Sequence, residues 1–340
     1  QSLQSNLGQS NRFRREVLIL KQALLWKEKA VSSLIKIDNS PLNSVYSDFS
    51  ATLIEDDLMV FTSDRPLGKN SPMYKWTGNS FTNVFITSTD GTYVSPWLDQ
   101  INSRDNDGNI ALHPSGDFLI FVRCSSEYIE LDATCKLMKL ERSKEGWGEP
   151  VQLAFVLPEF NYGSPAWNED GSTLFFSSNM EGGRGRYDLY FSKFSQNQFS
   201  KPHNLGDRIN TEGNEKFPTV FNDTLFFSSD YLPGMGGLDI FKTFIRYDST
   251  WSPPINMKPP FNSGGDDFGL IVNQHFKTDS VYTQMGYFSS SRMNGQGRDD
   301  IYQYKIGVPQ ELPIQIAEQR NIHIVFKTKY PLYDTSDVLE

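Results

Sequence analysis

Four carboxylates recur at one position of a repeating pattern. Asp48, Asp107, Glu215 and Asp267 each lie five residues beyond an asparagine: Asn43, Asn102, Asn210 and Asn262. Gathered at one mouth of a channel, such a set would attract a cation or a basic partner, because low-dielectric walls focus the field of like charges. The alternative is that each acid accepts hydrogen bonds within its own turn, as aspartate readily does. A fifth asparagine, Asn161, heads a shorter unit that offers Ser164-Pro165 instead. A second series, Asp188, Asp239 and Asp300, follows Gly-rich turns, each 11 residues beyond a serine: Ser177, Ser228 and Ser289. That constant distance suits an acceptor pinning the turn better than it suits a cation ligand.

Other chemistry is sparse. His113, His203, His275 and His323 fall at unrelated places in the repeat, and none belongs to a His-Glu-x-x-His zinc pattern. No Gly-x-Ser-x-Gly nucleophile elbow occurs, and the Gly183-Arg184-Gly185 turn precedes a strand pattern where a phosphate loop would precede a helix.

The elements that must hold these residues are hairpins. Phe175-Phe176-Ser177-Ser178, Phe226-Phe227-Ser228-Ser229 and Tyr287-Phe288-Ser289-Ser290 each lead through a glycine turn to Asp-Leu-Tyr, Asp-Ile-Phe or Asp-Ile-Tyr. Aromatic strand, wide turn and aromatic strand make a β-hairpin. The asparagine markers recur at intervals of 59, 59, 49 and 52 residues, which gives five units. Each unit has room for four short strands, as in a propeller blade. The expected fold is therefore all-β: a five-bladed β-propeller of four-stranded antiparallel blades, preceded by an N-terminal α-helix. Trp147-Gly-Glu-Pro150, Phe199-Ser-Lys-Pro202 and Trp251-Ser-Pro-Pro254 mark the outer strands, where proline is tolerated. Blades one and two diverge: Met73 stands where the turn-pinning aspartate should fall, and Val122-Arg123-Cys124 replaces the serine pair.

Three segments are expected: a helix within 1–33, which could end a helical repeat region; the propeller over 34–307; and 308–340, a linker and the strand Asn321 to Lys327, which could open a further β domain. Residues near 33 to 38 are expected to supply the outer strand of blade five and so close the ring. Cys124 ends the second strand of blade two and Cys135 begins the third, so an antiparallel hairpin could bring them opposite one another, within reach of a disulfide that would imply an oxidising compartment; two buried thiols are the alternative. The net charge of −9 argues against a nucleic-acid partner, and no run of 18 apolar residues is available to span a membrane.

Leu174-Phe-Phe-Ser-Ser-Asn179 with Gly183-Arg-Gly-Arg-Tyr-Asp-Leu-Tyr190, and Leu225-Phe-Phe-Ser-Ser-Asp230 with Gly234-Met-Gly-Gly-Leu-Asp-Ile-Phe241, resemble the TolB-type, WD-like propeller repeat of bacterial envelope proteins. The Trp-Ser-Pro and Ile-Asn-Thr elements resemble more narrowly the propeller of PorE-type proteins of type IX secretion and gliding machinery. The resemblance covers residues 40 to 306 and implies a periplasmic or outer-membrane-associated scaffold with envelope protein partners. It transfers no catalytic motif, and the family's OmpA-like peptidoglycan-binding domain has no counterpart in residues 1–340, so peptidoglycan binding is not carried over.

The function expected on this basis is non-enzymatic protein binding without a cofactor, with Asp48, Asp107, Glu215 and Asp267 as the partner or cation site. A calcium ion holding the channel closed is the one cofactor option. The alternative is a glycan-binding or glycoside-cleaving propeller, with inward carboxylates and Trp or Tyr platforms.

Overall fold

The computed structural model describes residues 16–28, 34–75, 77–125, 134–246 and 250–308. Residues 16–28 are helical, so the expected helix is present within the described span. The asparagine-to-lysine strand expected at 321–327, and any further domain there, lie outside the described residues.

Five antiparallel sheets follow in chain order. Each begins with an inner strand: Asp48–Leu53, Asn106–Leu112, Tyr162–Trp167, Glu215–Phe221 and Asp267–Val272. The aromatic segments form the second strands, such as Thr173–Ser178 and Thr224–Ser229, because alternate side chains fill the layers on either side of the blade. Phe61, Phe121, Phe176, Phe227 and Phe288 are all buried at that register. The outer echoes are each split into two short pairs: Gln198–Phe199 and His203–Asn204 both pair with the third strand of blade three. Proline between them has no N–H to keep one ladder running.

The ring closes through the N-terminal side of the chain. Ile35–Asn39 pairs with Asp300–Gly307 as the outer strand of blade five, from Ile35 opposite Ile306 to Asn39 opposite Tyr302. Ile35 and Ile37 pack on the cluster that contains Phe261, Phe288 and Tyr304. Cys124 and Cys135 stand opposite one another and are joined as a disulfide.

Candidate functional site

The four repeated acids begin the inner strands, and all four are 0% exposed. Asp48 accepts the Ser44 N–H at 2.7 Å and its hydroxyl at 2.8 Å, and pairs with Arg65 at 2.6 Å. Asp107 repeats this with Ser103 and Arg123, whereas Asp267 accepts the Ser263 N–H and the Ser290 hydroxyl and pairs with Arg292. Glu215 departs from the set. It accepts from Thr211 N–H, Thr211 Oγ1 and Ser229 Oγ, with no arginine in contact among the described residues. Burial raises the Glu215 carboxyl above its ordinary value, against those hydrogen bonds.

These carboxylates are spent inside the blades, which corrects the expectation of an acidic mouth for a partner or cation. Arg65 and Arg292 each stand two residues past Ser63 and Ser290, the second positions of their serine pairs, a spacing that does not by itself say which carboxylate each arginine meets. Among the described residues, no group of three or more His, Cys, Asp or Glu side chains is arranged to hold a metal.

Asp188 and Asp300 cap their glycine turns, accepting the N–H groups of Arg184 and Gly185, and of Gln296 and Gly297. Asp239 does the same for Met235 and Gly236, but through one oxygen, and its Oδ1 is buried without a partner among the described residues. Burial, opposed by the Gly236 and Met235 hydrogen bonds, pushes its carboxyl up to about 6. The folded chain thus holds that proton more tightly than the unfolded chain. Its contribution favours the fold at low pH and is lost as pH rises from about 4 through about 6, a change of about 3 kcal/mol. Asp239→Asn is expected to remove this decline, so that its urea midpoint gains on the parent's between pH 4.5 and 7.5. An equal pH response in the two proteins would contradict the assignment.

Four asparagines act as clips between blades. Asn43, Asn102, Asn210 and Asn262 each accept one N–H and donate to the carbonyl of the same residue, at Ile301, Val84, Leu189 and Ile240. The side-chain amide copies a strand neighbour, which satisfies backbone groups where the outer strand has ended. Asn161 is not equivalent. It stands one residue before its inner strand rather than five before the strand's acid position, and accepts from the Cys135 N–H. Lys136 takes over the bracing there, donating to the carbonyls of Leu157, Pro158 and Phe160.

The inner strands enclose a channel cavity of about 470 Å³. It reaches the face formed by the turns between first and second strands, where His113, Glu169 and His275 line it. Every inner strand carries the same bulge on this wall. Ser50, Asn109, Ser164, Phe217 and Gly269 have φ of 51°, 50°, 47°, 53° and 62°, and the strand register shifts at each. The first residue of the serine pair braces the bulge of the next blade: Ser289 Oγ accepts the Ser50 N–H, and Thr62 Oγ1 accepts that of Asn109. Gly108 is required beside the second contact, since a Cβ there would lie 2.5 Å from the Thr62 side chain.

Chemically the wall is neutral and mixed. Ser50 Oγ and Asn109 Oδ1 are buried there without hydrogen-bond partners among the described residues. The Phe217 ring lies 4.6 Å from that of Phe268, with Phe49 6.3 Å beyond. Among the described residues, Glu169 is the one Asp or Glu of the lining, and no Lys or Arg lines the cavity. His113 is engaged, with Nδ1 at 2.9 Å from Ser115 Oγ, Nε2 at 3.2 Å from the Gly171 carbonyl and its ring stacked on Phe118; burial lowers its pKa. His275 and Asp56 meet at 3.2 Å on the exposed rim.

Fold and site together define a five-bladed propeller with a neutral, aromatic-sided channel. No family model and no curated protein matches the chain. Among solved structures it is similar to an α-L-arabinofuranosidase from Lactobacillus brevis (12% identity, 81% of this chain and 93% of that one, TM-score 0.47). It is also similar to an endo-arabinase from Bacteroides thetaiotaomicron (12%, 80% and 97%, 0.47) and to a putative TolB from Agrobacterium tumefaciens (14%, 81% and 98%, 0.42). The expectation that the chain is not an enzyme is corrected here, because glycoside hydrolases stand beside the TolB among the structures it is similar to. Likeness at this level describes the fold and assigns no reaction.

Proposed function

We propose that the channel binds a neutral, hydroxyl-rich ligand of the glycan class. The observation that carries this reading is the pair of buried, unpartnered polar atoms, Ser50 Oγ and Asn109 Oδ1, on a wall that also presents Phe217. A sugar offers hydroxyls to the first and an apolar ring face to the second. Charged ligands would find no Lys or Arg and a single carboxylate along the lining. Titration calorimetry with arabino-, xylo-, cello- and chito-oligosaccharides tests the proposal, with saturable binding expected for at least one series. No heat from any of them would sink it. Release of reducing ends in the same mixtures would extend binding to cleavage, with Glu169 the carboxylate to substitute first.

A second reading places the propeller in the bacterial envelope as a component of a type IX secretion or gliding assembly. Support comes from the repeat's resemblance, from the Cys124–Cys135 disulfide and from the helix, where Leu18, Leu20 and Leu24 are more than 60% exposed. Alkylating the protein in its native cells before reduction is expected to leave both thiols unlabelled. Ready labelling would count against an oxidising compartment.

A further inference from the structure

The five bulges share one backbone geometry and carry four kinds of load, with serine used twice. Left-handed φ favours glycine, is tolerated by asparagine and is costly for a bulky side chain. Yet Gly269 is the one glycine at these positions, and Ser50, Asn109, Ser164 and Phe217 hold the same conformation with side chains attached. Because Gly269 makes the bulge without a side chain, the fold itself does not require one there. Strained residues kept at a cavity wall point toward use of the groups they present.

Around the ring the loads are ordered. Blades one, two and three present a hydroxyl, an amide and a hydroxyl; blade four presents an aromatic face; blade five presents none. Ser50 is 9% exposed, and its hydroxyl has no hydrogen-bond partner among the described residues. A Cβ at position 269 would touch Phe217 Cδ1 at 3.9 Å, so glycine there spares that edge of the ring a side-chain contact.

Building on the glycan reading, we infer that these five residues form the specificity ring of the channel, which reads the end unit of a neutral glycan. Phe217 stacks on the apolar face of that unit, the side open beside Gly269 admits it, and Ser50, Asn109 and Ser164 hydrogen-bond its hydroxyl edge. The ring lies within the channel at the bulges, below the rim residues His113 and Glu169. A chain terminus entering along the axis reaches it, and a segment lying across the rim does not.

The test exploits the backbone. Phe217→Gly and Asn109→Gly place glycine where φ suits it, so both variants are expected to melt at or near the parent temperature. Their affinity for the best-bound oligosaccharide is expected to fall about tenfold or more, the size of one lost stacking or buried hydrogen-bond contact. The ranking of pentose-ended against hexose-ended probes is expected to change as well. Phe217→Tyr retains the ring and is expected to retain binding. Folded glycine variants with unchanged affinity and ranking overturn the specificity ring while leaving the glycan reading intact. A Phe217→Tyr loss equal to that of Phe217→Gly overturns the stacking role. A parent protein that binds none of the probes overturns the glycan reading and the inference together.

Discussion

Replacing Arg292 by methionine is expected to destabilise the protein by about 3–5 kcal/mol, read as a lowered urea midpoint at unchanged slope. The reason is the state in which Asp267 is left. Its carboxylate is 0% exposed and held by Arg292 at 2.8 Å, so losing the guanidinium strands a charge inside the blade. Arg292 also donates to the carbonyls of Pro260 and Phe261 and lies over the Phe288 and Tyr302 rings, at 4.9 and 4.8 Å. Methionine keeps some of that packing and none of the donors. Adding Asp267→Leu to Arg292→Met is expected to recover much of the loss, because removing both charges ends the desolvation penalty. Glu215→Gln is the internal control. Its carboxyl is already disfavoured by burial and has no cation to lose, so a change within about 1 kcal/mol is expected at neutral pH. Equal costs for Arg292→Met and Glu215→Gln would contradict the distinction between paired and unpaired blades.

Deleting residues 1–39 is expected to open the ring. The truncation removes Ile35–Asn39, and five residue pairs with the third strand of blade five go with it. It also takes Ile35 and Ile37 from the last core cluster and leaves Asp300–Gly307 as an unprotected edge. An exposed edge strand templates association with another chain. Self-association by light scattering and early amide exchange over residues 300–307 are the expected results. A monomer that melts as cooperatively as the parent would show that Asn43 and the inner-strand contacts close the ring unaided. Asn43 is the residual clasp in that case, since its amide bonds both the N–H and the carbonyl of Ile301, 258 positions away.

Much of the architecture could be read from the residues in order. Period and strand count lead to five blades because a hairpin, its turn and its capping aspartate are local features. Phe226 to Asp239 needs no distant partner to be recognised. The failures have local causes as well. Asn161 matched the marker by composition, but four residues of displacement put it against Cys135, a shift visible only once the strands are paired. In blade one the turn-pinning position went to Asn83, opposite Ser63, because an insertion lengthened the turn past Met73.

Function was less legible for a physical reason. Acids at a constant spacing look alike whether they face a ligand or an arginine, and Arg65, Arg123 and Arg292 decide the matter through contacts that span up to 25 positions. The bulge residues carry no residue type common to all five. Ser50, Asn109, Ser164, Phe217 and Gly269 become one set only when five separate chain segments converge on an axis. The order of the residues determined the blades, their number and the turns that build them, since those depend on neighbours along the chain. Tertiary structure alone decided which carboxylates are neutralised and which side chains meet in the channel, because burial and convergence depend on what the closed ring brings together.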